Sequence, residues 1–194
     1  MKTQTALTLA SSSPRRRELL QALGIAFKVQ SSDVDETTAP GLSPQEVVEE
    51  LALRKARAVA STLSEGVVLG SDTIVVLDDR ILGKPADEAD AFRMLSMLQG
   101  REHTVYSGVA LIEAASGRSE VAHSSTRVKI RALSEAEIKA YIATREPMDK
   151  AGSYAIQGIG ATIVEGIAGD YFTVVGLPLC LTANMLSRFG ITVL

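Results

Sequence analysis

Along the chain the spacing of apolar residues switches repeatedly between about two and about 3.6, so strands should alternate with helices. Ala6-Leu-Thr-Leu-Ala10 alternates and is rich in β formers, which predicts a first strand. Ser13-Pro14 predicts a helix start, with Ser as N-cap and Pro at the first helical position, and Gly24 its end; Leu19, Leu20 and Leu23 form its apolar stripe. A second strand is read from Phe27 to Ser31. Ser43-Pro-Gln-Glu46 has the spacing of a capping box and opens a long helix with Val47, Leu51, Ala58 and Val59 on one side, Arg54 and Lys55 facing elsewhere.

Val67 to Leu77 is an apolar strand interrupted by Gly70, Ser71 and Asp72. Asp78-Asp79 predicts a turn into a short Arg80-Ile-Leu82 segment, and Gly83-Lys84-Pro85 a loop where proline forbids continuation. Asp87 caps a helix whose apolar set, Ala91, Met94, Leu95 and Leu98, has helical spacing, and Gly100 stops it. Thr104 to Ala114 and Ser119 to Arg131, joined at Ser116-Gly-Arg118, predict a long hairpin. Ser134 and Glu137 repeat the capping-box spacing ahead of a short helix to about Thr144. The Gly-rich last third should hold short strands, then a final helix from Leu177-Pro178 to Arg188, with Ile191 to Leu194 as an edge strand. The pattern predicts α/β architecture in one domain over 1–194, without repeats or linkers.

Composition narrows the picture. Of 194 residues 46% are hydrophobic but only 4% aromatic, with no Trp, so the core must be built from Ala, Val, Ile and Leu, a mixture suited to helices packed on a sheet. A formal charge of −3 supplies no overall attraction to nucleic acid or an anionic membrane, and stacking aromatics for a single strand are missing. The single Cys180 cannot form an internal disulfide, which fits a reducing compartment, and Leu177, Leu179 and Leu181 around it predict a buried thiol. Met1 to Ala10 lacks the pattern of an export signal, and no apolar run approaches the roughly 18 residues of a membrane span; a cytoplasmic location is expected.

Charge placement is more informative than total charge. Arg15, Arg16 and Arg17 crowd the first turn of the first helix, where cations oppose the helix dipole at about 0.3–1 kcal/mol each. A bound phosphate reverses that sign, because the free backbone N–H groups and the guanidinium forks then point at the same anion; a solvated basic patch is the plainer alternative. Phosphoryl chemistry also needs carboxylates for a divalent cation and small residues for close backbone approach. The same half of the chain carries Ser11, Glu36, Lys55, Asp72, Thr73 and Lys84. Singly each has an ordinary structural reading, Asp72 as a salt-bridge residue, Glu36 as a solvated carboxylate, Lys84 as a surface lysine. Neither G-x-x-x-x-G-K-[ST] nor G-x-G-x-x-G occurs, so the cradle is not a P-loop or dinucleotide turn. His103 and His123 lack metal-ligand spacing and a G-x-S-x-G partner, and are read as structural or exposed.

Leu9-Ala-Ser-Ser-Ser-Pro-Arg-Arg16, Gly70-Ser-Asp-Thr73, Gly83-Lys-Pro85, Asp149-Lys-Ala-Gly152, Ile156-Gln-Gly158 and Val175-Gly-Leu-Pro178 together resemble the Maf family of nucleoside triphosphate pyrophosphatases, in the family's order. The resemblance implies an elongated mixed β-sheet flanked by helices, two lobes around a cleft as in inosine triphosphate pyrophosphatases, and a homodimer. It implies that Ser11, Arg15 and Arg16 bind the triphosphate, that Lys55 and Lys84 complete the cradle, and that Glu36 and Asp72 are the site carboxylates, holding Mg or Mn. Water would attack the α-phosphorus, with Asp72 orienting it, deprotonating it or binding the metal. The Asp149 to Gly158 segment resembles the branch acting on dTTP and UTP, with Gln157 and Thr73 at the substrate; an amide offers a pyrimidine edge both donor and acceptor. Tyr154, the one aromatic beside that segment, is read as core packing. The alternatives are the branch acting on methylated GTP, or a nucleotide-binding regulator of septum formation in cell division.

Overall fold

A computed structural model of the chain describes residues 5–194; residues 1–4, the start of the segment read for an export signal, lie outside the described residues. The strands are β1 (Leu7–Leu9), β2 (Phe27–Val29), β3 (Val67–Leu77), β4 (Arg80–Leu82), β5 (Glu102–Glu113), β6 (Ser119–Ile130) and β7 (Val164–Ala168). The helices are α1 (Pro14–Ala22), α2 (Pro44–Ala60), α3 (Glu88–Leu98), α4 (Glu135–Ala143), α5 (Tyr171–Val175) and α6 (Leu179–Arg188). The strands form one seven-stranded mixed sheet in the order β2-β1-β3-β5-β6-β7, with β4 on β3. β1 runs parallel to both β2 and β3, whereas the β3–β4 and β6–β7 pairs are antiparallel. Among the described residues no helix is long and apolar enough to cross a membrane.

The local signals act where they stand. Ser13, Ser43, Asp87 and Ser134 each accept a bond from a first-turn amide of the helix they precede, and Ser43 and Ser134 complete capping boxes with Glu46 and Glu137. Asp78 and Asp79 both adopt left-handed φ, +49° and +61°, the backbone that a two-residue hairpin between β3 and β4 requires.

The chain divides into two compact units. One holds the residues up to Asp72 with Ser107–Ser124 and Gly176–Leu194. Its core joins Ala52, Ala56, Val59 and Ala60 of α2 to Val68, Ala110 and Ile112 of the sheet. The other holds Thr73–Tyr106 and Ser125–Val175, with a core of Val75, Leu77, Met94, Leu95, Leu98, Val128, Ile130, Ile138 and neighbours. In that second core His103 and Tyr154 are buried and share a 2.7 Å hydrogen bond, so Tyr154 is packing, as read. Burial pushes the His103 imidazole from 6.5 down to about 4. Between those values the unfolded chain takes up a proton that the folded chain refuses, so stability rises with pH across this window. Acidification from pH 6.5 to 4 should therefore cost about 3 kcal/mol through this residue. Urea unfolding of the wild type and of His103→Gln should show that loss in the first and a flatter pH dependence in the second.

The structure corrects several expectations. The apolar stripe of α2 runs through Ala52 and Ala56, while Ala58 is only half-buried. Cys180 is exposed, because α6 buries Thr182, Met185 and Leu186 and turns the thiol to the opposite side. Residues 191–194 form no strand: after Gly190 at φ +76° the Ile191 amide hooks back to the Leu186 carbonyl at 3.1 Å and its side chain is buried. The last third holds one strand, β7, with three short 3-10 turns and the unexpected α5.

Candidate active site

In the first unit a cluster of charged and hydroxyl side chains forms where β1, β3 and α2 meet the start of α1. β1 ends at Leu9, and the chain turns through Ser11 into the Ser13 cap of α1. Ser11 is buried; its Oγ accepts from the Ser13 amide at 3.2 Å and faces Arg16 Nη1 at 3.5 Å. Arg16 Nε donates to the Gly176 carbonyl at 2.8 Å, and the buried Ser71 donates its Oγ–H to the same carbonyl at 3.2 Å. One backbone oxygen thus ties the arginine-bearing helix start to β3. Arg15 is half-buried beside Arg16, and Arg17 is exposed.

Burial lowers the proton affinity of Arg16 from the ordinary arginine value, and the neighbouring Asp72 pulls the other way. A guanidinium keeps its proton in proteins, so Arg16 stands as a cation beside Asp72 and Glu36.

On α2, Lys55 turns inward. Its Nζ lies 2.6 Å from Asp72 Oδ1 and 2.7 Å from Glu36 Oε1. The two arms differ: the side chains of Lys55 and Asp72 are 11% and 10% exposed, that of Glu36 60%. Separating the buried pair would strand a charge and cost about 3–5 kcal/mol, whereas an exposed pair is worth about 0–1 kcal/mol. Asp72 is therefore fixed by a buried partner, and Glu36 is the more exposed of the two carboxylates. Lys55 is inward because α2 sits close against the sheet. A Cβ on Gly70 would stand 2.2 Å from the Ala52 carbonyl oxygen and 2.7 Å from the Ala56 nitrogen, and one on Gly108 2.2 Å from the Val48 carbonyl oxygen.

Ser11, Arg15, Arg16, Glu36, Lys55 and Asp72 thus belong to one neighbourhood in the first unit. Thr73, Lys84 and Gln157 belong to the second: Thr73 follows Asp72 on β3 and is half-buried, Lys84 is exposed on the loop before α3, and Gln157 is exposed ahead of the Gly158–Thr162 turn. Sequence reasoning missed the Gly176 carbonyl, Ser71 and the use of Gly70. Glycine inside a strand was the available signal; here it makes room for α2.

Among the described residues no group of three or more His, Cys, Asp or Glu converges. Glu36 and Asp72 nonetheless meet at one ammonium, as a pair of hard oxygen donors. Mg and Mn suit such a pair, since they are commonly held by one or two carboxylates with substrate phosphates filling the rest. The residues fit a metal that arrives with a polyphosphate.

Sheet and cluster together define an α/β protein in which two cations, Arg16 and Lys55, stand with two carboxylates, Glu36 and Asp72. The chain belongs to the Maf-like protein family, whose model matches residues 6–189. It is 55% identical over 188 residues to a protein of Pelotomaculum thermopropionicum named dTTP/UTP pyrophosphatase, covering 97% of this chain and 98% of that one. A protein of the same name from Moorella thermoacetica is 54% identical over 187 residues, 96% of each chain. Among solved structures, the Staphylococcus aureus Ham1 protein matches with a TM-score of 0.47 and 19% identity over 64% of this chain and 71% of that one, a likeness too loose to bear on the fold.

Proposed function

We propose that this chain hydrolyses nucleoside triphosphates, dTTP and UTP foremost, to the monophosphate and pyrophosphate. The observation that carries the reading is the convergence of Arg16, Lys55, Asp72 and Glu36 in one partly buried neighbourhood. Buried cations and carboxylates in such proximity are costly for folding alone and suit a polyanion with its counter-ion. The names of the relatives support the pyrimidine triphosphates as substrates.

Ser11, Arg15 and Arg16 bind the triphosphate tail through the Ser11 hydroxyl and the two guanidinium forks. Lys55 and Lys84 complete the charge around the phosphates. Asp72 and Glu36 would hold the Mg or Mn ion, which supplies Lewis-acid polarisation of the phosphoryl oxygens. Asp72, fixed by Lys55, orients the water and takes its proton as the new bond to the α-phosphorus forms. The bond from the α-phosphorus to the bridging oxygen breaks, and that oxygen leaves with pyrophosphate. Gln157 and Thr73 contact the nucleotide, the amide of Gln157 meeting the pyrimidine edge. The enzyme acts as a cytoplasmic homodimer.

The test is a panel of nucleoside triphosphates with Mg or Mn, products resolved by ion-exchange chromatography. Monophosphate with pyrophosphate, fastest from dTTP and UTP, is expected; diphosphate with inorganic phosphate would overturn the reaction type.

A further inference from the structure

Glu36 poses a physical problem. It lies in the stretch between β2 and α2 that has no helix or strand, its side chain is largely exposed, and yet its carboxylate sits 2.7 Å from Lys55 Nζ. An exposed ion pair contributes about 0–1 kcal/mol, and the backbone on either side of residue 36 has a restraint of its own.

The neighbour of Lys55 supplies it. The Nη1 group of Arg54 donates to the backbone carbonyls of Asp35 and Thr37, the latter at 2.9 Å, one on each side of Glu36. Its Nη2 group pairs with Glu50 one turn back on α2, which fixes the guanidinium relative to its own helix. The Asp35 carboxylate accepts from the Thr37 amide at 2.8 Å and closes the turn from within. Glu36 is thereby held at the top of a clamped turn, with Arg54 gripping its backbone and Lys55, the next residue, receiving its side chain.

We propose that Arg54 is a positioning residue that presents the Glu36 carboxylate to the divalent cation of the triphosphate complex. This rests on the pyrophosphatase reading of the site. A planar fork can face two carbonyls and a carboxylate together; a single ammonium on the shorter reach of lysine cannot reproduce that geometry. The Arg54 guanidinium bonds the Asp35 and Thr37 carbonyls and Glu50, so it acts through the turn that carries Glu36.

The test compares Arg54→Ala, Arg54→Lys, Glu36→Gln and the Arg54→Ala/Glu36→Gln double variant in the full chain. Three quantities are read: kcat and KM for dTTP, the Mn concentration giving half-maximal rate, and calorimetric binding of Mn to the protein with a non-hydrolysable triphosphate analogue. Removing a group that orients a metal ligand commonly costs about 10- to 100-fold in metal affinity or activity. Arg54→Ala should weaken Mn binding and raise its half-maximal concentration by that factor, with the unfolding temperature close to wild type. Arg54→Lys should recover little. In the double variant the Arg54 change should add nothing to the loss from Glu36→Gln, since both act through one carboxylate. If Arg54→Ala leaves Mn binding unchanged while Glu36→Gln weakens it, the positioning role falls and the pyrophosphatase reading stands. Full additivity in the double variant likewise overturns it. If Glu36→Gln keeps wild-type turnover and Mn binding, the assignment of Glu36 falls with it.

Discussion

Asp72→Asn should lower kcat for triphosphate hydrolysis by about 10²- to 10⁴-fold, the range that a positioned proton acceptor contributes. The substitution keeps the shape of the side chain and an oxygen for Lys55 Nζ, now 2.6 Å from Asp72 Oδ1. It removes the charge that would hold the cation and the basic oxygen that would take a proton from water. Stability should fall by less than the about 3–5 kcal/mol expected when a buried charge loses its partner altogether. Glu36 remains within 2.7 Å of the same ammonium to balance it. Single-turnover kinetics together with thermal unfolding separate the two effects. Turnover like the wild type's, in a folded protein, would remove Asp72 from the chemistry and leave its pair with Lys55 as a structural salt bridge.

Gly70→Ala should damage stability and turnover together. The added carbon would stand 2.2 Å from the Ala52 carbonyl oxygen, 2.7 Å from the Ala56 nitrogen and 2.9 Å from the Ala56 Cβ. Two of these are helix backbone, which cannot rotate aside, so α2 has to lift from the sheet. Overpacking of this kind costs about 1–3 kcal/mol or somewhat more. For a chain of this size that lowers the unfolding temperature by about 2–12 °C. Lys55 lies between Ala52 and Ala56 on the displaced helix, so its ammonium leaves Asp72, and a misplacement of about 1 Å is enough to cost about 10²-fold in rate. Gly108→Ala is the informative comparison. It meets the Val48 carbonyl oxygen at 2.2 Å, two turns before Lys55, and should match Gly70→Ala in lost stability while costing less in kcat. Wild-type melting and kinetics for Gly70→Ala would show that α2 yields without disturbing Lys55.

Much of this molecule is written in short-range signals. The serine caps, the capping boxes, the Asp78-Asp79 turn and the whole extent of β3 depend on residues a few positions apart, and each stands where the pattern predicts. The run of arginines after Ser13 could be recognised as misplaced for a helix dipole without any structure. The motifs around Ser11, Asp72 and Gly176 sufficed to point to the family, and the match over residues 6–189 agrees.

Other features are relations between distant residues, and periodicity carries no trace of them. Helix periodicity says only that Lys55 stands off the apolar stripe of α2; the close seating of α2 on Gly70 brings it to Asp72, 17 positions away. Arg16 meets the Gly176 carbonyl across 160 positions. Cys180 among leucines reads as buried, yet the face that α6 presents is set by what packs against it. The sequence by itself determined the capped helix starts and the turn between β3 and β4, because capping and turn energies act within a turn or two of the chain. Only the tertiary structure decided which charges meet, because that depends on how closely and at what angle the elements pack.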